Sequence, residues 1–192
     1  CSSDLPSHRV RDLCARAVGA INLCGASNPA DLAFRPRGKL IYLETDPVLY
    51  QVRVAQGDTA ARNFLAAHDA HVTYGENLGA DDCPIPLPDF AWKKTRPPVV
   101  LDFWPPCPET PGARFTTIAT WHNRGKDMQF GGQTYYWSKH MNFLTLADLP
   151  RRLAQPLELS VEIDNPQESE AFQRGGWVLT NPLVVSQDMQ VY

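Results

Sequence analysis

The chain has 192 residues, 43% of them hydrophobic and 20% charged, a balance that suits a folded globular protein and excludes wholesale disorder. Its formal net charge is −3, with 12 basic and 13 acidic side chains in residues 1–114 and 6 and 8 in residues 115–192. No basic surplus is present to neutralise phosphates, which argues against a nucleic-acid scaffold, and neither half is a charged tail. No stretch approaches the roughly 20 apolar residues of a membrane-spanning helix, so a soluble protein is expected.

The first predicted element is a helix capped by Ser7, with Val10, Leu13, Cys14 and Ala17 on one face. Val18–Gly25 has the apolar continuity of a strand covered on both sides. Leu40–Leu43 is the next strand, ending in Glu44-Thr-Asp-Pro47, where Asp46 as N-cap and Pro47 at the first helical position open a helix. Asp58 starts another helix, with His68 on its apolar side, and His71–Tyr74 is a short strand running into Gly75–Gly79. Strand and helix in alternation imply a parallel sheet with right-handed crossovers.

From 84 to 111 the composition changes: nine of those 28 residues are proline, which excludes long helices and central strands there. After this segment Phe115–Trp121 reads as a buried strand, and Gly131-Gly132 as the turn of a hairpin between Lys126–Phe130 and Gln133–Trp137. Ser138 caps a helix, and Leu157–Ile163 is a strand. Asn165-Pro-Gln-Glu168 starts a helix that ends at Gly175-Gly176, and Trp177–Thr180 is the last strand. The expected architecture is α/β, with two partial Rossmann-like parallel-sheet domains, 1–83 and 115–192, joined by a proline-rich connector over 84–114.

Five cysteines at scattered spacing, Cys1, Cys14, Cys24, Cys83 and Cys107, form no C-x-x-C pair. Cys14 and Cys24 read as buried thiols, and a reducing, cytoplasmic compartment is expected. His8, His71 and His140 have no Cys, Asp or His partner at ligand spacing, so no structural zinc site is expected; no cofactor is expected. G-x-S-x-G, Walker A and G-x-G-x-x-G motifs do not occur, which removes the usual hydrolase, P-loop and dinucleotide readings.

Ligands of open parallel sheets bind beyond the carboxyl ends of the strands, which selects five loops here: Cys24–Ser27, Glu44–Asp46, Tyr74–Asn77, Thr120–Lys126 and Asp164-Asn165. The loop Thr120-Trp-His-Asn-Arg-Gly-Lys126 follows a strand at once and offers two cations, an imidazole and an amide in seven residues. Thr120, His122, Asn123, Arg124 and Lys126 are therefore candidates for a diphosphate; alternatively, Arg124 and Lys126 solvate a hairpin edge. Glu44 is the candidate general base. Asp46 is a helix cap or a site residue, and Tyr74, Glu76 and Asn77 hold polyhydroxyl groups or form a plain turn.

The order Glu44-Thr-Asp-Pro47, Thr73-Tyr-Gly-Glu-Asn77, proline-rich crossover, Phe115-Thr-Thr-Ile-Ala-Thr-Trp121, Tyr135-Tyr-Trp-Ser-Lys-His140 and Gly176-Trp-Val-Leu-Thr-Asn-Pro182 resembles bacterial glycosyltransferases of the GT-B type. The resemblance spans nearly the whole chain and implies two Rossmann-like domains facing a cleft. The amino-terminal domain would take a glycan or small-molecule acceptor, bordered by Glu44, Asp46, Tyr74, Glu76 and Asn77. The carboxy-terminal one would take a nucleotide-sugar donor without an essential metal, its diphosphate at Thr120–Lys126. The chain starts at Cys1 and stops at Tyr192 without the later donor-domain segment, so it reads as an excerpt not expected to be active alone. Two alternatives stand beside this reading: a non-catalytic nucleotide- or glycan-binding module of the same shape, and another Rossmann-type enzyme.

Overall fold

The structure is a computed structural model that describes residues 6–30, 35–104, 106 and 114–187. The chain divides into two compact units, residues 1–101 and 102–192. Both are α/β with parallel sheets.

The first unit opens with α1 (Ser7–Arg16). Ser7 is the first helical residue and not the cap expected of it, because Pro6 already occupies the N-cap position in extended conformation. Four parallel strands follow in the order β1 (Gly19–Leu23), β2 (Lys39–Glu44), β3 (Ala70–Thr73) and β4 (Trp92–Lys94). Among the described residues β1 pairs with β2 alone. Its Ile21 and Leu23 are exposed, so this apolar run is an edge strand and not the doubly covered one expected from its composition. β4 lies within the proline-rich segment and pairs with β3 at the opposite edge, as prolines on either side allow.

Between β2 and β3 run α2 (Leu49–Ala55) and α3 (Thr59–Ala66). They pack on the face of β2 that carries Leu40, Tyr42 and Glu44. The Tyr42 ring lies 5.7 Å from Tyr50 and 5.5 Å from Phe64, both edge-on, and Val52, Ala61 and Leu65 are buried with it. Asp58 caps α3 as expected, accepting the Ala61 N–H at 2.9 Å. The α2 start differs from expectation. Asp46 sits in an exposed bend and the N-cap is Val48, held at φ 95 with its N–H donated to the Gln51 side chain at 2.8 Å. His68 is a packed histidine: its Nδ1–H donates to the Phe64 carbonyl, and its Nε2 accepts from the Asn22 amide. Burial lowers its pKa, in keeping with that neutral ring.

The second unit holds a three-stranded parallel sheet, ordered β5 (Phe115–Ile118), β8 (Leu157–Ser160), β9 (Val178–Thr180). A separate antiparallel hairpin joins β6 (Met128–Phe130) to β7 (Gln133–Tyr135). Gly131 and Gly132 turn it at φ 58 and 77, the left-handed geometry that a two-residue hairpin loop demands. α4 (His140–Leu144), α5 (Pro166–Gly175) and α6 (Pro182–Ser186) complete the unit. Its core is Trp121, Leu157, Leu159, Val161, Phe172 and Trp177.

The strand expected to be buried, β5, is exposed along its length, with Phe115 at 68% and Ile118 at 49%. It is the sheet's edge and, among the described residues, pairs only with β8. α5 begins as its sequence dictates: the Asn165 side chain accepts the Gln167 N–H at 3.0 Å and Pro166 is the first helical residue. It ends on Gly176 at φ 97, the left-handed cap. Gly175, one residue earlier, meets a different demand: a Cβ there would stand 1.9 Å from the Ala147 carbonyl oxygen.

Candidate functional site

In each unit some of the residues singled out from the sequence lie at the carboxyl ends of the parallel strands, and the two edges differ in chemistry. In the first unit Glu44 closes β2 and is 1% exposed. Its Oε2 accepts from Gln51 Nε2 at 2.7 Å and from Thr73 Oγ1 at 2.8 Å, while its Oε1 has no hydrogen-bond partner among the described residues. Burial, with a small contribution from Asp46, outweighs the two hydrogen bonds and pushes the carboxyl up to about 7. Through these contacts Glu44 ties the start of α2 to the end of β3, where Thr73 Oγ1 also accepts the Gly75 N–H at 3.0 Å.

The neighbours of Glu44 in sequence serve other ends. Asp46 is exposed and Tyr74 half-buried. Glu76 is paired with Arg96 at 2.7 Å, and the Asn77 amide donates to Asp82 at 3.2 Å. Cys24 is exposed, not buried, with φ 52 and its thiol against the Thr45 hydroxyl. Cys14 is partly buried; Cys1 and Cys107 lie outside the described residues.

The second unit presents an open cavity of about 430 Å³ beyond the ends of β5 and β8. It is lined by Ala119, Thr120, Trp121, His122, Glu162, Asp164, Pro182 and Leu183. Its size falls in the range of small-molecule sites. His122 Nε2 lies 3.3 Å from Asp164 Oδ1 on the cavity wall, and the His122 and His140 rings are 4.4 Å apart.

The loop that carries His122 is anchored from beneath by a buried hydroxyl. Ser138 Oγ donates to the Trp121 carbonyl at 3.0 Å and accepts the Asn123 N–H at 3.1 Å. Because its one hydrogen is given to Trp121, the His140 Nδ1 at 2.9 Å is the donor in their contact. Ser138 is thus a loop anchor and not the helix cap expected of it, a position that Lys139 takes. Trp121 is fixed a second time by its indole N–H, which donates to Glu168 at 2.8 Å.

The five residues proposed for a diphosphate are divided by the structure. Thr120 and His122 line the cavity, whereas Asn123, Arg124 and Lys126 do not. Lys126 stacks over the Trp137 ring at 4.1 Å, and exposed Arg124 forms no ion pair with a described residue. Glu162 was not singled out from the sequence, and Asp164 only as part of the strand-end loop Asp164-Asn165. The available signal was the alternation of the strand Leu157–Ile163, whose polar positions Glu158, Ser160 and Glu162 lead on to Asp164.

Among the described residues no group of three or more His, Cys, Asp or Glu side chains is placed to hold a metal ion, and no helix is long and apolar enough to cross a membrane. Comparison with known proteins finds no match: no family model, no curated protein and no solved structure.

Proposed function

We propose that this chain belongs to a glycosyltransferase of the GT-B type, and that its second unit handles a nucleotide-sugar donor. The observation that carries this reading is the cavity at the carboxyl ends of β5 and β8, with Thr120 and His122 on its wall and the cationic segment Arg124–Lys126 next in sequence. Ligands of open α/β sheets bind at that edge. A guanidinium that pairs with no described carboxylate is suited to a leaving diphosphate, whose charge grows as the bond to the sugar breaks. Lys126, already seated on Trp137, is the weaker contributor.

A thermal-shift screen of UDP, GDP, dTDP and their sugars tests the reading. At least one nucleotide sugar should raise the melting temperature, and Arg124→Ala should weaken its binding about tenfold, the loss of one charge-assisted phosphate contact. Indifference to the whole panel would refute it.

One observation favours a binding module without catalysis. Glu44, the carboxylate nominated as general base, is sealed from solvent and engaged with Gln51 and Thr73. A bound nucleotide sugar that is neither transferred nor hydrolysed would select that reading.

A further inference from the structure

The cavity of the second unit carries the wrong charge for the phosphates assigned to its loop. Two of its lining residues, Glu162 and Asp164, are carboxylates, and among the described residues neither lysine nor arginine lines it. His122 already faces Asp164 at 3.3 Å.

The start of α5 would ordinarily attract an anion. Here it is occupied: Asn165 takes the Gln167 N–H, Pro166 has none to give, and Glu168 places a further negative charge in the first turn. A phosphate in this cavity would meet the two carboxylates of Glu162 and Asp164 beside one imidazole. Hydroxyl groups would meet the opposite situation, since an ionised carboxylate only accepts and forms its strongest hydrogen bonds with O–H and N–H donors. Of the remaining walls, Ala119, Trp121, Pro182 and Leu183 are apolar and suit the C–H surface of a ring, and Thr120 adds a hydroxyl. Two residues before Glu162, at the end of β8, the Ser160 hydroxyl is buried without a hydrogen-bond partner among the described residues and does not line the cavity.

We infer that this cavity binds the uncharged, hydroxyl-rich ring of a ligand, a sugar or ribose held by Glu162 and Asp164, and that phosphate is kept outside it. The inference rests on the proposed donor role only for the identity of the ligand; the choice of hydroxyl over phosphate follows from the lining residues. His122 is a positioning residue, fixing the Asp164 carboxylate from one side while its ring completes the wall.

The test uses the full chain with four probes: methyl glucopyranoside, uridine, inorganic pyrophosphate and spermidine, followed by amide NMR shifts and tryptophan fluorescence. A hydroxyl-bearing probe should shift residues 119–122 and 162–164, and Glu162→Gln and Asp164→Asn should each weaken it about tenfold. Both substitutions preserve shape, and an unchanged far-ultraviolet spectrum verifies folding. Pyrophosphate should leave 162–164 unmoved and bind the two variants no worse than the parent.

The inference is overturned by pyrophosphate shifts at Glu162 and Asp164, by spermidine as the sole occupant, by the hydroxyl probes failing to bind, or by unaltered affinity in both variants. Binding of the glucoside or uridine with no response to any nucleotide sugar would retain the cavity assignment and discard the glycosyltransferase reading.

Discussion

The two units place acidic side chains at the same topological position and use them in opposite ways. In the first, Glu44 ends β2 beneath α2 and is closed off by Gln51 and Thr73, so its carboxyl serves the sheet and is itself pushed up to about 7. In the second, Glu162 and Asp164 follow β8 into the open, where they line a cavity of about 430 Å³. The carboxyl edge of a parallel sheet brings loop residues together in both units. What distinguishes the buried carboxylate from the cavity-lining ones is that a helix covers it.

The largest expected effect concerns the platform under the cavity. Phe172 is fully buried, 5.5 Å from the Trp121 ring and 6.0 Å from Trp177. Phe172→Ala should cost about 3–5 kcal/mol through lost burial and the void left behind. Urea denaturation followed by tryptophan fluorescence measures it. A loss below about 1 kcal/mol would mean that the open edge does not depend on this core.

The next effect tests the closed edge. The Glu44 carboxyl lies above its ordinary value near 4.5, so between about 4.5 and about 7 the folded chain holds a proton that the unfolded chain has released. Stability from this residue is therefore fully present below that window and declines as pH rises through it, by about 3 kcal/mol in all. Glu44→Gln should flatten the slope while keeping an acceptor for Gln51 and Thr73. Chemical denaturation from about pH 4 to about pH 8 on both proteins decides it, and equal slopes would contradict the burial argument.

The smallest effect is local to the start of α5. Asn165→Ala removes the cap of α5 and should cost about 1 kcal/mol. Thermal melts would reveal it, and no change would show that Pro166 alone holds the helix start.

Features that depend on neighbours in sequence are legible in the amino acids themselves. Asp58 and Asn165 cap their helices, Gly131-Gly132 turns the hairpin and Gly176 ends α5, because each requires a particular side chain or φ within a few residues. The alternation of strand and helix also announces the parallel sheets. The β1 and β5 expectations fail for a shared reason: an apolar run is composed alike whether it has one neighbour or two, and both strands have one among the described residues. Ser138 fails as a cap because a better use for its hydroxyl, the Trp121 carbonyl, comes from a distant segment.

The candidate site divides along the same line. Its loop, Thr120–Lys126, is recognisable from residue type and from its place after a strand. Its chemistry is not, because the carboxylates beside His122 arrive from the end of β8, and Lys126 is drawn onto Trp137 across the hairpin. From its amino acids alone this chain determines caps, turns, periodicity and the succession of strands and helices, all set by short-range sterics and hydrogen bonding. Only the tertiary structure decides which strand is an edge, which carboxylate is buried and which charges share a cavity, because burial and electrostatic environment are made by residues that the chain brings together from afar.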